Sequence, residues 1–289
     1  MGGFLRRHKR VIPYLLLAPG LLWLIAFYVV PGFQMFLTSL WSGTLETGYE
    51  FALSNISNYT EALTRYWPQF SRSIIYGGAA TILTFLISYP LAYTIAFRGG
   101  RFKNLLLFLV VAPFFTSFLL RTISWKIILG DTGILLGPLK ELGLLPAEFQ
   151  VLATPIAVVA GITYNFLPFM TLPIYVSLEK IDKRLVEAAE DLFATSIGAF
   201  RRITLPLSLP GVFAGSLLTF IPAMGDYINA ELLGNPQTTM IGNVIQNQFL
   251  TQNNYPTASA LSFILMAGIL LAVAVYARLL GTDELAGGA

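Results

Sequence analysis

A small set of polar and aromatic residues could bind a charged small molecule. Asp226, Tyr227 and Glu231 stand close together late in the chain, and Tyr164 and Asn165 lie inside a long apolar stretch. Carboxylates and aromatic faces are the groups that hold an organic cation, so these five are candidate substrate-path residues. Each also has an ordinary alternative: Asp226 and Glu231 as solvated loop acids, Tyr164 as a helix-packing residue, and Asn165 as a bond between helices.

The sequence gives no sign of a catalytic or metal site. It has no cysteine and a single histidine, His8, in a basic N-terminal tail, so thiolate chemistry, Cys-ligated metals and an imidazole-based triad are not expected. A phosphate loop is missing too, because Gly133 and Gly137 are too close together and no Lys-Ser/Thr follows them. We therefore predict a non-enzyme with no catalytic residues, no metal and no cofactor of its own.

A second candidate site is the segment 179–206. Its apolar residues recur with the period of a helix from Leu185 to Phe200, and charged residues occupy the other faces. Asp182 is the predicted N-cap, while Pro206 and Pro210 are expected to end helical structure before the next apolar stretch. Such an element either lies on lipid headgroups or docks its apolar ridge into a partner.

Composition decides the class of protein that positions these residues. Hydrophobic residues make up 55% of the chain and charged residues only 11%, whereas soluble domains carry about 25% charged residues. A spanning helix needs about 20 mostly apolar residues. Six stretches qualify, at about 13–38, 72–97, 104–128, 152–178, 207–228 and 257–280.

The distribution of lysine and arginine predicts the orientation. If the N-terminus is inside, 13 of the 18 basic residues lie on the cytoplasmic side, as expected for loops near membrane helices. Both termini are then cytoplasmic, 41–70 and 131–150 are outer loops, and 179–206 is a cytoplasmic loop. This topology accounts for the net charge of +3, so no nucleic-acid partner is expected. The apolar run near the N-terminus is predicted to be an uncleaved first helix.

The cytoplasmic loop resembles a family signature. Glu187, Ala188 and Ala189, followed at a fixed spacing by 203–206, are similar to the loop of ABC importer permeases: Glu-Ala-Ala, three residues, Gly, nine residues, Ile-x-Leu-Pro. One position departs from that pattern, because Phe193 stands where the family has glycine. Gly198 is then a candidate for the bend that this glycine normally eases.

The resemblance implies an architecture and a set of partners. It implies an all-α membrane protein, a single permease domain over 1–289 with six transmembrane helices, cytoplasmic N- and C-termini and the type I ABC importer permease architecture. A second permease subunit, a cytoplasmic ATPase dimer that binds ATP and Mg, and an extracytoplasmic substrate-binding protein would complete the machine in a prokaryotic inner membrane. The ATPase-coupling residues would be Glu187, Ala188, Ala189, Asp191, Gly198 and Pro206.

Further segments narrow the resemblance to the polyamine (spermidine/putrescine) permeases. These segments are 120–125, 129–131, 164–170, 222–225, 241–245 and 248–250. The resemblance implies ATP-driven polyamine import by alternating access, with a related permease as partner. Two alternatives stay open: an ABC permease for another small solute, and an ion-coupled secondary transporter. The latter usually needs an ionisable residue within the membrane, and Asp226 is the nearest candidate.

Overall fold

A computed structural model describes residues 12–44 and 46–280, and these residues are mostly helical. Five stretches are long and apolar enough to cross a membrane, namely Tyr14–Ser39, Leu53–Arg98, Pro155–Glu179, Ser196–Met224 and Tyr255–Arg278. A bent pair, Gly100–Phe115 with Phe118–Ile128, would be a sixth crossing. The predicted class, a helical membrane protein, is confirmed. The side on which the termini lie stays a prediction, and His8 lies outside the described residues.

The helices, in chain order, are α1 Ile12–Leu24, α2 Val30–Ser39, α3 Ser57–Tyr93, α4 Lys103–Val111, α5 Phe118–Ile128, α6 Leu136–Glu141, α7 Pro155–Glu179, α8 Lys183–Asp191, α9 Ser196–Ala199, α10 Leu205–Met224, α11 Ile228–Leu233, α12 Ile241–Gln246 and α13 Tyr255–Leu280. π-Helical turns occupy Ile25–Val29, Thr94–Arg98, Phe200–Thr204 and Asn247–Thr251. 3₁₀ turns occupy Leu53–Ile56, Gly100–Phe102, Ala112–Phe115 and Pro236–Thr238. Two strands, β1 Trp41–Thr44 and β2 Gly48–Phe51, complete the described elements.

The described residues fall into two compact units. One takes the described part of Met1–Arg65 together with Asn247–Ile264, and the other takes Tyr66–Gln246 with the described part of Leu265–Ala289. The expectation of one domain over 1–289 stays a prediction.

In the first unit a β-hairpin forms within the predicted outer loop 41–70. β1 pairs antiparallel with β2, with Trp41 opposite Phe51. The Tyr49 hydroxyl donates to the backbone carbonyl of Asn253 at 2.7 Å, and the Tyr49 ring lies 5.5 Å from that of Trp41. The hydrogen bond of Tyr49 thus holds the hairpin against the segment that precedes α13.

In the second unit α7 packs closely against α10. A side chain at Gly211 would overlap the backbone carbonyl of Pro173, and one at Gly215 would lie 3.0 Å from the carbonyl oxygen of Met170. Small residues four positions apart let two membrane helices approach at backbone distance. Met170 is itself completely buried, so this contact lies inside the unit.

The stretch predicted as a third straight span, 104–128, is divided in the structure. α4 and the 3₁₀ turn Ala112–Phe115 meet α5 at an angle of 95°. Thr116 and Ser117 have extended backbone, with ψ of 152° and 137°, and extended residues cannot continue a helical hydrogen-bond ladder. A hydropathy pattern does not detect this break, because both arms are apolar.

The second predicted span is longer than expected. α3 begins at Ser57, so the last part of the predicted outer loop 41–70 is helical. Pro68 and Pro90 lie inside this helix, and Arg72 donates to the carbonyl of Thr239 at 2.8 Å. Arg72 therefore ties its part of α3 to the segment before α12, and that contact is not visible in local hydropathy.

Candidate functional site

The segment 179–206 folds as two short helices joined by a tight turn. Asp182 accepts a hydrogen bond from the backbone amide of Arg184 at 3.0 Å, which confirms the predicted N-cap of α8. At the other end, the amide of Ala194 donates to the carbonyl of Ala189 at 2.9 Å. A bond of this kind closes the turn in which a left-handed residue ends a helix.

The left-handed residue of this turn is Phe193, whose φ is 61°. Glycine usually takes this position because a Cβ atom makes the conformation costly by about 1–2 kcal/mol. Phe193 therefore keeps the backbone geometry that the family glycine would give. The expectation that Gly198 makes the bend was wrong, since Gly198 lies in α9 and its amide donates to the Thr195 hydroxyl at 3.1 Å.

An apolar tip projects from the segment. Leu192, Phe193 and Ile197 expose 81%, 96% and 70% of their surface, and we call these three residues the loop tip. Three large apolar side chains exposed in one tight turn form a ready contact for another protein. Of the predicted coupling residues, Glu187, Ala188, Asp191 and Pro206 are also exposed, whereas Ala189 and Gly198 are half-buried.

The opposite side of the segment is tied to the membrane helices. The Phe200 ring lies 5.7 Å from that of Tyr89 and 6.1 Å from that of Tyr93, and the Tyr89 hydroxyl is 2.8 Å from the Ser208 hydroxyl. A displacement of the loop would therefore be felt directly by α3 and α10.

The prediction that Pro206 and Pro210 end helical structure was wrong. A π-helical turn, Phe200–Thr204, leads without interruption into α10, and Pro206 lies in its first turn. Proline has no amide to donate to the preceding turn, and the wider π-helical turn lies directly before Pro206, so the helical path continues through this residue. Pro210 lies further inside the same helix. The loop and α10 thus form one continuous helical connection.

Two of the five predicted path residues belong to one buried polar network. Asn229 donates to both oxygens of Asp226, through its backbone amide and its side-chain nitrogen, each at 2.8 Å. Asn165 donates to Asn229 Oδ1 at 3.1 Å and to the Thr122 hydroxyl at 3.2 Å. The network joins α5, α7 and α11. Asp226 is consequently no solvated loop acid, as only 7% of its surface is exposed.

The other three path residues lie outside this network. Tyr164 is half-buried, and its ring meets that of Trp125 edge to face at 5.3 Å. Tyr227 and Glu231 are both exposed. The structure therefore leaves Glu231 as the accessible carboxylate of the set.

Asn229 and Thr122 were missed by the sequence reasoning, as was the burial of Arg121. Only 8% of the surface of Arg121 is exposed, and this residue lies in the apolar stretch predicted as the third span, 104–128. The signal was present, because a charged residue in an apolar stretch marks a functional position in a membrane protein.

The chain is similar to known transport proteins along most of its length. A family model described as "Binding-protein-dependent transport system inner membrane component" matches residues 85–280. The spermidine/putrescine transport system permease protein PotB of Haemophilus influenzae is 41% identical over 257 residues, 89% of this chain and 90% of that protein. The protein of the same name from Escherichia coli K12 is 36% identical, over 89% and 93% of the two chains.

A solved structure has the same fold. A chain of the bacterial alginate ABC transporter, in complex with an alginate pentasaccharide-bound periplasmic protein, superposes with a TM-score of 0.74. The match covers 98% of both chains at 18% sequence identity. At this identity the likeness concerns the arrangement of the helices.

Proposed function

The chain belongs to the family of binding-protein-dependent transport system inner membrane components and is a permease subunit of such an importer, and on that premise we propose that its cargo is a polyamine such as spermidine or putrescine. It is a multi-pass inner-membrane protein and a transport component, not an enzyme. The main support for a polyamine cargo is the 41% sequence identity, over 89% of this chain, to a spermidine/putrescine permease.

The geometry of the loop supports a proposal for the partners. The exposed tip of Leu192, Phe193 and Ile197 fits an apolar groove on a cytoplasmic ATPase, with Glu187 and Asp191 at the rim of that contact. ATP and Mg would be bound by this ATPase, while the chain itself binds no cofactor. A second permease subunit would complete the membrane unit, and an extracytoplasmic binding protein would deliver the polyamine.

The proposed mechanism is alternating access. ATP closes the ATPase pair, the closure moves the loop tip, and Phe200 and the continuous helix into α10 transmit that motion to the membrane helices. The contacts of Phe200 with Tyr89 and Tyr93, at 5.7 and 6.1 Å, support this route because they leave no flexible linker between loop and helices.

The decisive experiment is uptake of labelled spermidine into proteoliposomes that hold this chain, its related permease and the ATPase, with binding protein added outside. Uptake that needs both ATP and binding protein would support both the ATP-driven importer and its polyamine cargo. Binding-protein-stimulated ATPase activity without spermidine uptake would reject the polyamine and leave an importer of another small solute. Uptake by this chain alone would reject the ATPase-coupled machine in favour of a secondary transporter.

A further inference from the structure

Arg121 is a cation enclosed in the second unit. It belongs to the first turn of α5, just after the break at residues 116–117, and only 8% of its surface is exposed. Placing a charge inside a membrane protein is costly, and such residues are nearly always paired or functional. The groups that surround Arg121 therefore need an explanation.

Two of the three guanidinium nitrogens have no hydrogen-bond acceptor among the residues that the structure describes. These two atoms, Nε and Nη1, are also buried. Within the part of the chain that the structure describes, no carboxylate oxygen lies within 4.0 Å of it. Because both nitrogens are covered by this chain itself, a neighbouring subunit could not reach them in this conformation. Within this chain, the positive charge of Arg121 is therefore stabilised by an interaction other than an ion pair.

Aromatic rings take that role. The Arg121 Cζ atom lies 5.5 Å from the centroid of Phe114 and 5.6 Å from that of Phe118. Phe166 and Phe169 of α7 connect these two rings: Phe114 to Phe169 is 5.2 Å, Phe169 to Phe166 is 5.9 Å, and Phe166 to Phe118 is 6.2 Å between ring centroids. We call Phe114, Phe118, Phe166 and Phe169 the phenylalanine cluster.

A cluster of aromatic side chains of this kind attracts organic cations. The face of an aromatic side chain attracts a guanidinium or an alkylammonium by the same electrostatic interaction, which strengthens when water is excluded. It does not hold two cations at once, because unit charges about 4 Å apart repel each other by about 4 kcal/mol near a protein surface. An incoming ammonium group and Arg121 are therefore competitors.

We propose that the phenylalanine cluster is a binding site for an organic ammonium ion, and that the guanidinium of Arg121 occupies this site until the cargo displaces it. The proposal rests on the proposed function, in that the displacing ligand in transport is a polyamine. The break in the third apolar stretch provides the movement, since Phe114 precedes the extended residues 116–117 whereas Arg121 follows them. A rotation of α5 about the break would withdraw the guanidinium from Phe114.

The test measures equilibrium binding of labelled spermidine, and separately of tetramethylammonium, to the purified complex without ATP or binding protein. Arg121→Gln removes the resident cation, and we expect it to bind both probes about tenfold or more tightly than the wild type. Arg121→Lys keeps the charge and should bind as weakly as the wild type. Adding Phe114→Leu to Arg121→Gln should abolish the gain.

A matched control is Arg101→Gln. Arg101 also lies over a phenylalanine, with Cζ 4.7 Å from the Phe102 centroid, but both residues are exposed; binding should not change there. Equal affinity in Arg121→Gln and the wild type, with unchanged melting temperature, would overturn the proposal. So would equal loss of stability in Arg121→Gln and Arg121→Lys without any gain in binding, which is the result of a purely structural arginine.

The outcome is separable from that of the proposed function. If the wild type takes up no spermidine in proteoliposomes, the polyamine cargo fails, yet tighter tetramethylammonium binding by Arg121→Gln would still support the cation site. If the wild type takes up spermidine and Arg121→Gln binds neither probe more tightly, only the cation site is overturned.

Discussion

Asn165 donates its side-chain amide to Asn229 Oδ1 over 3.1 Å, and this bond joins α7 to α11 inside the protein. Asn229 in turn holds both oxygens of Asp226. Asn165 and Asp226, more than 60 positions apart in the chain, are therefore both held by Asn229.

Asn229→Ala should destabilise the protein strongly. It removes the side-chain donor to Asp226 and the acceptor for Asn165, and leaves a buried carboxylate short of a partner, which costs about 2–3 kcal/mol or more. The measurement is the unfolding midpoint of the purified complex in detergent. Asn104→Ala, at an exposed position, is the control and should stay close to the wild type. Equal midpoints for both variants would contradict a stabilising role for the network.

Glu231→Gln should lower polyamine uptake about fivefold, which is the loss of about 1 kcal/mol of interaction, while basal ATPase activity stays unchanged. Glu231 is the accessible carboxylate of the predicted path, whereas Asp226 is engaged by Asn229. Uptake and ATPase rates are measured in the same proteoliposomes, with Glu148→Gln as an exposed control. A parallel fall of both rates, or no fall, would return Glu231 to the solvated-loop alternative.

Glu187→Lys should leave assembly intact and reduce ATP-driven uptake at least about tenfold. Reversing an exposed charge changes no buried contact of this chain but places a like or unmatched charge at the proposed ATPase contact, a change worth about 1.4 kcal/mol or more. Co-purification of the ATPase and spermidine uptake are the two readouts. Glu141→Lys reverses an exposed charge elsewhere and serves as the control. Wild-type uptake in Glu187→Lys would remove this residue from the coupling role.

Phe193→Gly should stabilise the turn relative to Phe193→Ala. Both variants lack the ring, but only glycine adopts a φ of 61° without a Cβ penalty, a difference of about 1 kcal/mol. Hydrogen exchange of the Ala194 amide, which bonds to Ala189, should be about fivefold slower in the glycine variant. Indistinguishable exchange in the two variants would show that the left-handed turn stores no strain.

The predicted orientation can be tested because the chain has no cysteine. In cells without the ATPase, a membrane-impermeant maleimide should label Gln237→Cys from outside, while Ile197→Cys should react only after permeabilisation. Both side chains are exposed, so accessibility within the chain does not limit either reaction. Labelling of Ile197→Cys in intact cells would reverse the topology.

Local patterns predicted those parts of the fold that local interactions determine. Long apolar stretches predicted most of the helices, and the acid at 182 predicted the cap of α8. The helical period predicted the apolar ridge that contains Leu192 and Ile197, and both side chains are exposed in the structure. The coupling role of this ridge stays a prediction.

Features set by distant contacts could not be predicted in this way. The network of Asp226 and Asn229 reaches Asn165, more than 60 positions earlier, and the rings beside Arg121 pack on Phe166 and Phe169 of α7. No sequence window around Asp226 or Arg121 contains these partners. The break at residues 116–117 is hidden because apolar residues flank it on both sides. The turn at Phe193 was missed for a different reason, namely that phenylalanine adopts a conformation that sequence statistics assign to glycine.

The broken third stretch also bears on how the protein enters the bilayer. α5 has 11 residues, about half of what a crossing needs, and it carries Arg121 and Lys126. A lysine or arginine opposes the insertion of a helix by up to about 2.5–3.5 kcal/mol, the value that applies at the helix centre. A nascent chain that ended before α7 would therefore leave α5 outside the lipid, and its integration must wait for the synthesis of α7, which brings Phe166 to Phe118 and Asn165 to Thr122.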